Sequence, residues 1–273
     1  MIFEVEINKI KYKLDTEVYH DFSIPLNFNK EQPNSYNVKK ASSKAYEEED
    51  GFVGDTRKGG SCNFEELNLI PHCNGTHTEC LGHITDQRIS IHEQLKDVFI
   101  PASLITVSPD KNSVDSYKPS LKKEDLVISK SLIEEALQKS SNGFLRALVI
   151  RTNPNSEKKK TRNYMETDAP FFSLEAMKFI VDLGVEHLLV DFPSVDRTFD
   201  DGLLSGHHIF WNLKENSHDI DDRSALNKTI TEMLFAPDSV KDGNYMLNLQ
   251  IAPFVSDASP SRPILFELKK VKS

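Results

Sequence analysis

The segment from His72 to His83 carries the densest set of metal-binding side chains in the chain. Its twelve residues, His-Cys-Asn-Gly-Thr-His-Thr-Glu-Cys-Leu-Gly-His, contain three imidazoles, one carboxylate and two thiols. His77 and Glu79 are two positions apart, so on an extended backbone both side chains leave from the same face. Gly75 permits a tight backbone that would bring His72 back toward the same point. We therefore predict that a strand end and an adjoining turn deliver His72, His77 and Glu79 to one centre.

Several kinds of site fit this segment. A histidine-rich loop can be a solvated turn that binds nothing. A structural zinc site normally closes with four ligands, often cysteine pairs at short spacing, whereas Cys73 and Cys80 are seven positions apart. A mixed set of histidine and carboxylate ligands favours an open catalytic site that keeps a position for water. A non-haem iron centre is a further hypothesis, because His72, His77 and Glu79 could form a face of two histidines and one carboxylate.

The composition argues against several classes of protein. The 273-residue chain has a net charge of −9, which opposes binding to a phosphate backbone. Its three cysteines are an odd number beside histidines, which suggests reduced thiols rather than a disulfide framework. The N-terminal residues lack the pattern of a signal peptide, and no apolar run approaches the length of a membrane span. We expect a cytoplasmic protein that binds a small molecule, and neither nucleic acid nor a membrane.

The order of the predicted elements indicates an α/β fold with a mixed sheet. The first half is rich in strands, and the second half alternates helices with buried strands: Ser129–Ser140, Phe144–Ile150, Ser173–Leu183 and Val185–Val190. Ser173 is a typical N-cap residue, and Gly184 marks a helix stop. A further amphipathic helix is predicted over Ser224–Phe235, with Glu232 on it. We predict a single domain over residues 1–273.

A second group of residues capable of chemistry follows the last of these buried strands. The segment Asp191-Phe192-Pro193-Ser194-Val195-Asp196 stands where catalytic groups often collect, just past the carboxyl end of a strand. Eleven positions further come His207 and His208, which point in different directions on any regular element, so at most one faces a given ion. With Glu232 this group supplies ligands for a second ion, and Glu79 would be the carboxylate that bridges the two.

The two groups together resemble the metal-dependent cyclase family, which includes bacterial kynurenine formamidase and related arylformamidase-like hydrolases. The family signature, His-x-Gly-Thr-His-x-Asp-x-Pro-x-His, is matched at most positions by Gly75-Thr76-His77-Thr78-Glu79-Cys80-Leu81-Gly82-His83. Other segments that resemble the family follow in the same order: Gly54-Asp55, Ala169–Ser173, Asp191–Asp196, His207-His208, Glu232 and Asp257–Pro263. Ordered agreement of several motifs over most of the chain is more specific than any one of them.

The resemblance implies a fold, a cofactor and a role for individual residues. The family fold is a layered β/β/α domain of the swivelling type with a mixed sheet, usually assembled as a homodimer or homotetramer. The resemblance implies that His77 binds the first metal and that Glu79 takes the bridging position. It implies that His207 and Glu232 bind the second metal. His83 takes the place of the catalytic acid/base, and the implied cofactor is zinc or manganese, as one or two ions.

The chain departs from the family pattern near the first metal. The family histidine four positions before His77 is replaced by Cys73, and His72 stands one position earlier. We favour His72 as the ligand, with Cys73 as the alternative, since a thiolate also binds zinc. Glu79 replaces an aspartate, which changes the expected metal separation. Leu81 replaces a proline, and the aromatic residue expected before the Gly-Asp turn is absent, so N-formylkynurenine is only one candidate substrate.

The residues and the resemblance predict a metal-dependent hydrolase. It would cleave the C–N bond of an amide or formamide, or a cyclic amide or lactone bond, in a small carbonyl compound, with His83 as acid/base. A serine nucleophile is disfavoured because the chain has no Gly-x-Ser-x-Gly elbow. The alternative is a non-catalytic metal or small-ligand binding protein on the same scaffold. The long polar segment Asn27–Asp50 would either cover the pocket or form ordinary surface.

Overall fold

A nine-stranded mixed sheet organises the protein in a computed structural model that describes residues 1–49, 51–138 and 142–271. The strands within these ranges are β1 (Ile2–Ile7), β2 (Ile10–Asp21), β3 (Ser42–Ala45), β4 (Glu65–Asn68), β5 (His77–Cys80), β6 (Ile100–Val107), β7 (Val127–Ile128), β8 (Ala147–Thr152), β9 (Phe171–Phe172), β10 (His187–Val190), β11 (Thr229–Glu232), β12 (Gly243–Ile251) and β13 (Ala258–Lys270). The α-helices are α1 (Pro71–Asn74), α2 (Ile91–Gln94), α3 (Lys130–Leu137), α4 (Leu174–Asp182) and α5 (Ser205–Phe210).

The large sheet closes on itself through β13. The strand order is β1-β2-β13-β12-β6-β8-β10-β11-β5, and residues 258–260 of β13 also pair with β5. Strands β6, β8, β10 and β11 run parallel, while the remaining pairs of this sheet are antiparallel. The result is a barrel-like mixed sheet with helices outside it, which confirms the predicted α/β class.

The two faces of the parallel strands pack into two separate cores. On β8, Leu148 and Ile150 join an outer core with residues of α3 and α4. Ala147 and Val149 alternate with them and join an inner core with β6 and β12. Because both faces are buried, this strand reads as a continuous apolar run in the sequence rather than as an alternation.

Capping residues mark the ends of the two longer helices. The Ser173 hydroxyl accepts a hydrogen bond from the Ala176 backbone N–H at 3.0 Å, and Gly184 follows the helix with φ 77°, as predicted. Ser129 caps α3 in the same way, with its hydroxyl accepting from the Leu132 backbone N–H. The α3 helix is shorter than the prediction, and the predicted positions 139 and 140 lie outside the described residues. Within the described residues, none of the helices has the length and apolarity to cross a membrane.

The helix predicted over Ser224–Phe235 is wrong. Residues 229–232 form β11 instead, which runs parallel to β10 and antiparallel to β5. The β-branched residues Thr229, Ile230 and Thr231 are fully buried between these two strands. Their burial on both faces of a sheet, which local sequence does not reveal, overrides the helical spacing of the apolar residues.

Candidate active site

The candidate site forms on the helix-covered face of the closed sheet, where β5 lies between β11 and β13. On β5, His77 and Glu79 lie one strand period apart, and both are buried. The register places Glu232 of β11 opposite His77 and Ala258 of β13 opposite Glu79. The structure thereby brings together all six residues that the sequence predicted for the site: His72, His77, Glu79, His83, His207 and Glu232.

The turn that delivers His72 differs in detail from the prediction. His72 lies in the single helical turn α1, which begins at Pro71, and Gly75 then joins α1 to β5. Gly75 itself has extended backbone, with φ 167°, so the tight bend comes from α1 and not from the glycine. The predicted convergence of His72 on Glu79 is observed, because the two side chains are 2.8 Å apart.

Glu79 is the centre of the site. The side chain is 1 % exposed, and its two oxygens face different imidazoles. Oε1 lies 3.0 Å from Nε2 of His207. Oε2 lies 2.8 Å from Nδ1 of His72, 3.9 Å from Nε2 of His77 and 4.0 Å from Nε2 of His83. One buried carboxylate therefore stands between two groups of nitrogen donors.

His77 presents an unpartnered nitrogen to two carboxylates. Its Nδ1 donates to the Gly75 carbonyl at 3.0 Å, which leaves Nε2 to face the site. Nε2 is buried, lacks a hydrogen-bond partner and lies 3.5 Å from Oε2 of Glu232. The other Glu232 oxygen accepts from the Val195 backbone N–H at 2.9 Å. A backbone-anchored imidazole with its second nitrogen free is the arrangement of a metal ligand.

His207 is held by the buried carboxylate of Asp196. Asp196 Oδ2 accepts from Nδ1 of His207 at 2.6 Å, so Nε2 points toward Glu79. The same carboxylate accepts from the Tyr117 hydroxyl at 2.7 Å and the Gly206 backbone N–H at 2.6 Å. His208 turns away and hydrogen-bonds the Leu204 carbonyl, as expected for neighbouring helical positions. Asp196 belongs to a segment that the sequence singled out, but its positioning contact was not predicted.

Asp257 joins His72 and His83 at the more open side of the site. Its Oδ2 lies 2.7 Å from Nε2 of His72 and 3.4 Å from Nδ1 of His83. The two imidazole rings stack with centroids 4.1 Å apart. These three side chains are 19–29 % exposed, in contrast to buried Glu79. No site role was predicted for Asp257, although it lies in a segment that resembles the family.

Mutual attraction between the acids and imidazoles shifts their pKa values. Burial alone would lower the pKa of His72, but hydrogen bonds with Asp257 and Glu79 outweigh it and raise that pKa to about 10. Burial is likewise outweighed at His207, where Asp196 and Glu79 raise the imidazole pKa well above its usual value. Burial would raise the pKa of Glu79, yet His83, His207 and His72 hold it well below its usual range. The buried carboxylates therefore favour positive charge beside them, which protonated imidazoles or a bound metal ion can supply.

The donor set fits a divalent metal ion. Three overlapping groups have ligand atoms within 4.8 Å of one another: His72 with His77 and Glu79, His72 with His83 and Asp257, and Glu79 with His83 and His207. Cys73 is in none of the groups found among the described residues, and burial raises its thiol pKa to about 11, with a contribution from Glu232. The free Nε2 of His77 and the mixture of imidazole and carboxylate ligands satisfy what such an ion requires.

The polar N-terminal segment approaches this site at Ser35 and Tyr36. The Ser35 backbone N–H donates to the Cys73 carbonyl at 3.1 Å, beside His72. Tyr36 follows with φ 57°, a left-handed conformation that is uncommon for a residue other than glycine. Burial and the nearby charges of Glu232 and Asp200 raise the pKa of the Tyr36 phenol. The segment therefore contacts α1 through Ser35 and places Tyr36 within electrostatic range of Glu232, while its last residue, Asp50, lies outside the described residues.

Comparisons with known proteins identify a matching family model, a related sequence and similar folds. A family model described as "Putative cyclase" matches residues 13–197. A kynurenine formamidase from Bacillus cytotoxicus is 27% identical over 210 residues, which are 76% of this chain and 82% of that protein. A solved structure described as a potential metal-dependent hydrolase with cyclase activity has a TM-score of 0.59 and 18% identity, and the match covers 91% of this chain and 98% of that one. Isatin hydrolase A from Labrenzia aggregata, bound to benzyl benzoate, has a TM-score of 0.59 and 13% identity, with 91% and 93% covered.

Proposed function

The chain belongs to the Cyclase family, and from that premise we propose that it is a metal-dependent hydrolase of a small amide. The substrate class is a formamide or other amide, a cyclic amide, or a lactone of similar size. The names of two similar proteins, a kynurenine formamidase and an isatin hydrolase, support the amide class, because isatin is a cyclic amide. The single observation that carries the metal dependence is the buried, unpartnered Nε2 of His77, which faces Glu79 and Glu232.

We propose that the six predicted residues keep the roles that the resemblance implied. His72, His77 and Glu79 would hold a first ion. His207 and Glu232, with Glu79 as the bridge, would hold a second. When bound, a divalent ion supplies Lewis acidity toward the substrate carbonyl and lowers the pKa of a water ligand to about 7. Zinc suits this nitrogen and oxygen donor set, and manganese is the alternative for a hydrolase.

The residues of the chain would orient the donors and move the protons. Asp196 holds His207 with Nε2 toward Glu79. The Gly75 carbonyl accepts from Nδ1 of His77 and so holds Nε2 of that ring toward the site. His83 is the partly exposed imidazole, with Nε2 4.0 Å from Glu79 Oε2. In hydrolysis of an amide, His83 would accept a proton from the attacking water as the C–O bond forms. It would return that proton to the departing nitrogen as the C–N bond breaks.

The remaining parts of the proposal concern the state of the protein. We propose a cytoplasmic protein that assembles as a homodimer or homotetramer. Its three cysteines are free thiols, which suits a reducing compartment. A single domain over residues 1–273 is supported by the large sheet, which contains both the first and the last strand of the described chain. The Cys73 thiol remains the alternative to His72 as a ligand, and iron remains the alternative metal.

The test of this proposal is metal content together with hydrolysis. The purified protein and Glu79→Ala would be compared by elemental analysis after equilibration with zinc or manganese. Glu267→Ala is the matched control, since Glu267 also faces a histidine, His20, at 3.2 Å, but at the end of β13 far from the site. We expect one or two ions per chain, lost with Glu79 and retained in the control, and turnover of formamides, cyclic amides or lactones.

Two results would overturn the proposal in different ways. If the protein neither carries nor takes up zinc, manganese or iron, the metal centre is wrong. If it binds metal through Glu79 but turns over no member of the substrate panel, the non-catalytic binding protein becomes the better account. Oxygen consumption after anaerobic iron loading would instead support an iron enzyme with His72, His77 and Glu79 as its ligands.

A further inference from the structure

Asp257 is a carboxylate that contacts two functional imidazoles at once. We propose that Asp257 is a positioning residue that orients both His72 and His83, and so links metal binding to proton transfer. This inference rests on the proposed function, because the roles of the two histidines come from it. The carboxylate oxygen Oδ2 makes both contacts, at 2.7 Å to His72 Nε2 and 3.4 Å to His83 Nδ1.

The backbone of Asp257 is fixed independently of its side chain. Its carbonyl accepts from the Cys80 backbone N–H at 3.0 Å, and the next residue, Ala258, pairs with Glu79. The second carboxylate oxygen, Oδ1, accepts from the Ser256 hydroxyl at 3.1 Å. The side chain therefore projects from a rigid strand start immediately beside the central carboxylate. A substitution of similar shape can alter its chemistry while the strand pairing stays in place.

The charge of Asp257 determines which nitrogen of each ring carries a proton. An ionised carboxylate only accepts hydrogen bonds, so the ring nitrogens that face it must be N–H donors. His83 then carries its proton on Nδ1, and Nε2 is left to exchange a proton with the reacting groups. With a metal ion bound, His72 would keep its proton on Nε2 toward Asp257, and Nδ1, which lies 2.8 Å from Glu79, would bind the ion. A carboxylate behind an imidazole ligand also raises the basicity of the ligand.

An asparagine at position 257 would distinguish the orientation of His72 and His83 from a role of Asp257 in packing alone. Asp257→Asn keeps the size and shape of the side chain but has one accepting oxygen and one donating amide nitrogen. Both imidazoles share Oδ2 in the native protein, and the amide oxygen can take that place while the amide nitrogen donates to the Ser256 hydroxyl. The substitution therefore removes the negative charge that both ring nitrogens face and leaves a weaker, neutral acceptor. Removal of such outer partners typically costs about 10- to 100-fold in metal affinity or activity.

The experiment measures zinc affinity by competition with a chelator, and kcat and KM at saturating zinc. For Asp257→Asn we expect a loss of about 10- to 100-fold in zinc affinity and in kcat, with KM little changed. The control is Glu267→Gln, because Glu267 also contacts a histidine, His20, at 3.2 Å, but at the end of β13 far from Asp257. We expect this control to keep both zinc affinity and kcat.

Two further measurements make the positioning role decisive. In a His83→Gln background, Asp257→Asn should cause no further loss of kcat, since the carboxylate would act on proton transfer through that imidazole. Side-chain nitrogen NMR of the zinc-loaded protein, with the His83 signal assigned by His83→Gln, should show a protonated Nδ1. Asp257→Asn should shift that signal toward a tautomer mixture, and Asp257→Glu should restore it in part.

Each outcome decides for or against the inference. Wild-type zinc affinity, kcat and His83 tautomer in Asp257→Asn would overturn it. Equal further losses of kcat with and without His83 would also overturn the link to that residue. If Asp257→Asn fails to fold while Asp257→Glu folds with an altered tautomer and weaker zinc binding, the inference stands. If the protein hydrolyses nothing, the proposed function fails, yet zinc affinity and the NMR signal still test Asp257.

Discussion

Replacing Asp196 with asparagine tests whether a buried carboxylate prepares His207 for metal binding. Asp196 accepts four hydrogen bonds in a fully enclosed position. One oxygen serves the Tyr117 hydroxyl and the Gly206 backbone N–H, and the other serves the ring and backbone nitrogens of His207. Whichever way the amide of Asp196→Asn turns, at least one buried N–H group meets an amide N–H instead of an acceptor.

The magnitude follows from these contacts. A buried donor without an acceptor costs about 1–3 kcal/mol, and a charge-assisted hydrogen bond is roughly twice as strong as the neutral one that replaces it. We therefore expect the free energy of unfolding to fall by about 2–4 kcal/mol. For a chain of this size that corresponds to a decrease in Tm on the order of 5–10 °C. His207 also loses the negative charge that raises its basicity, so zinc affinity should fall by about 10- to 100-fold.

The assay is thermal unfolding of the metal-free and zinc-loaded proteins, combined with zinc competition. Asp200→Asn is the control, because Asp200 accepts the Gly202 and Leu204 backbone N–H groups on the same loop but contacts no ligand histidine. The control should lose stability and retain the increase in Tm that zinc produces. An unchanged unfolding temperature and an unchanged response to zinc in Asp196→Asn would refute the reasoning.

Three further predictions address stability. Lys159→Met should lower the free energy of unfolding in urea by about 3–5 kcal/mol, because the buried Asp191 carboxylate, 2.7 Å from the ammonium, keeps its hydrogen bonds from Thr152 but loses its counter-charge; a loss below 1 kcal/mol would contradict this. The double variant Thr78→Val with Thr231→Val should lose less free energy of unfolding than either single variant, because the paired hydroxyls, 2.7 Å apart, are removed together. Additive losses in the same assay would count against this prediction. The metal-free protein should lose stability as the pH rises from 6.5 to about 10. The raised pKa of His72 stabilises the folded protein fully below pH 6.5, and this contribution is lost as the pH approaches 10; a constant Tm over that range would exclude it.

The features that the sequence predicted correctly depend on local chemistry. His77 and Glu79 face one side because side chains alternate along any strand, whichever strands lie next to it. Ser173 and Gly184 bound a helix because an N-cap hydroxyl and a left-handed glycine act within one turn. The buried strands and the family resemblance likewise follow from residue types in order along the chain. These signals were sufficient to predict the fold class and six residues that the structure brings together.

The remaining features depend on contacts between residues far apart in the chain. The strand at Thr229–Glu232 resembles a helix locally, and it is a strand because β10 and β5 pair with both of its edges. Asp257 contacts histidines more than 170 positions earlier in the chain because β13 closes the sheet against β5. Spacing along the chain carries no information about which distant carboxylate lies behind an imidazole. Residue types alone therefore determined which chemistry is available, and only the closed sheet decided which charges meet, because hydrogen bonds and charge effects depend on distance in space.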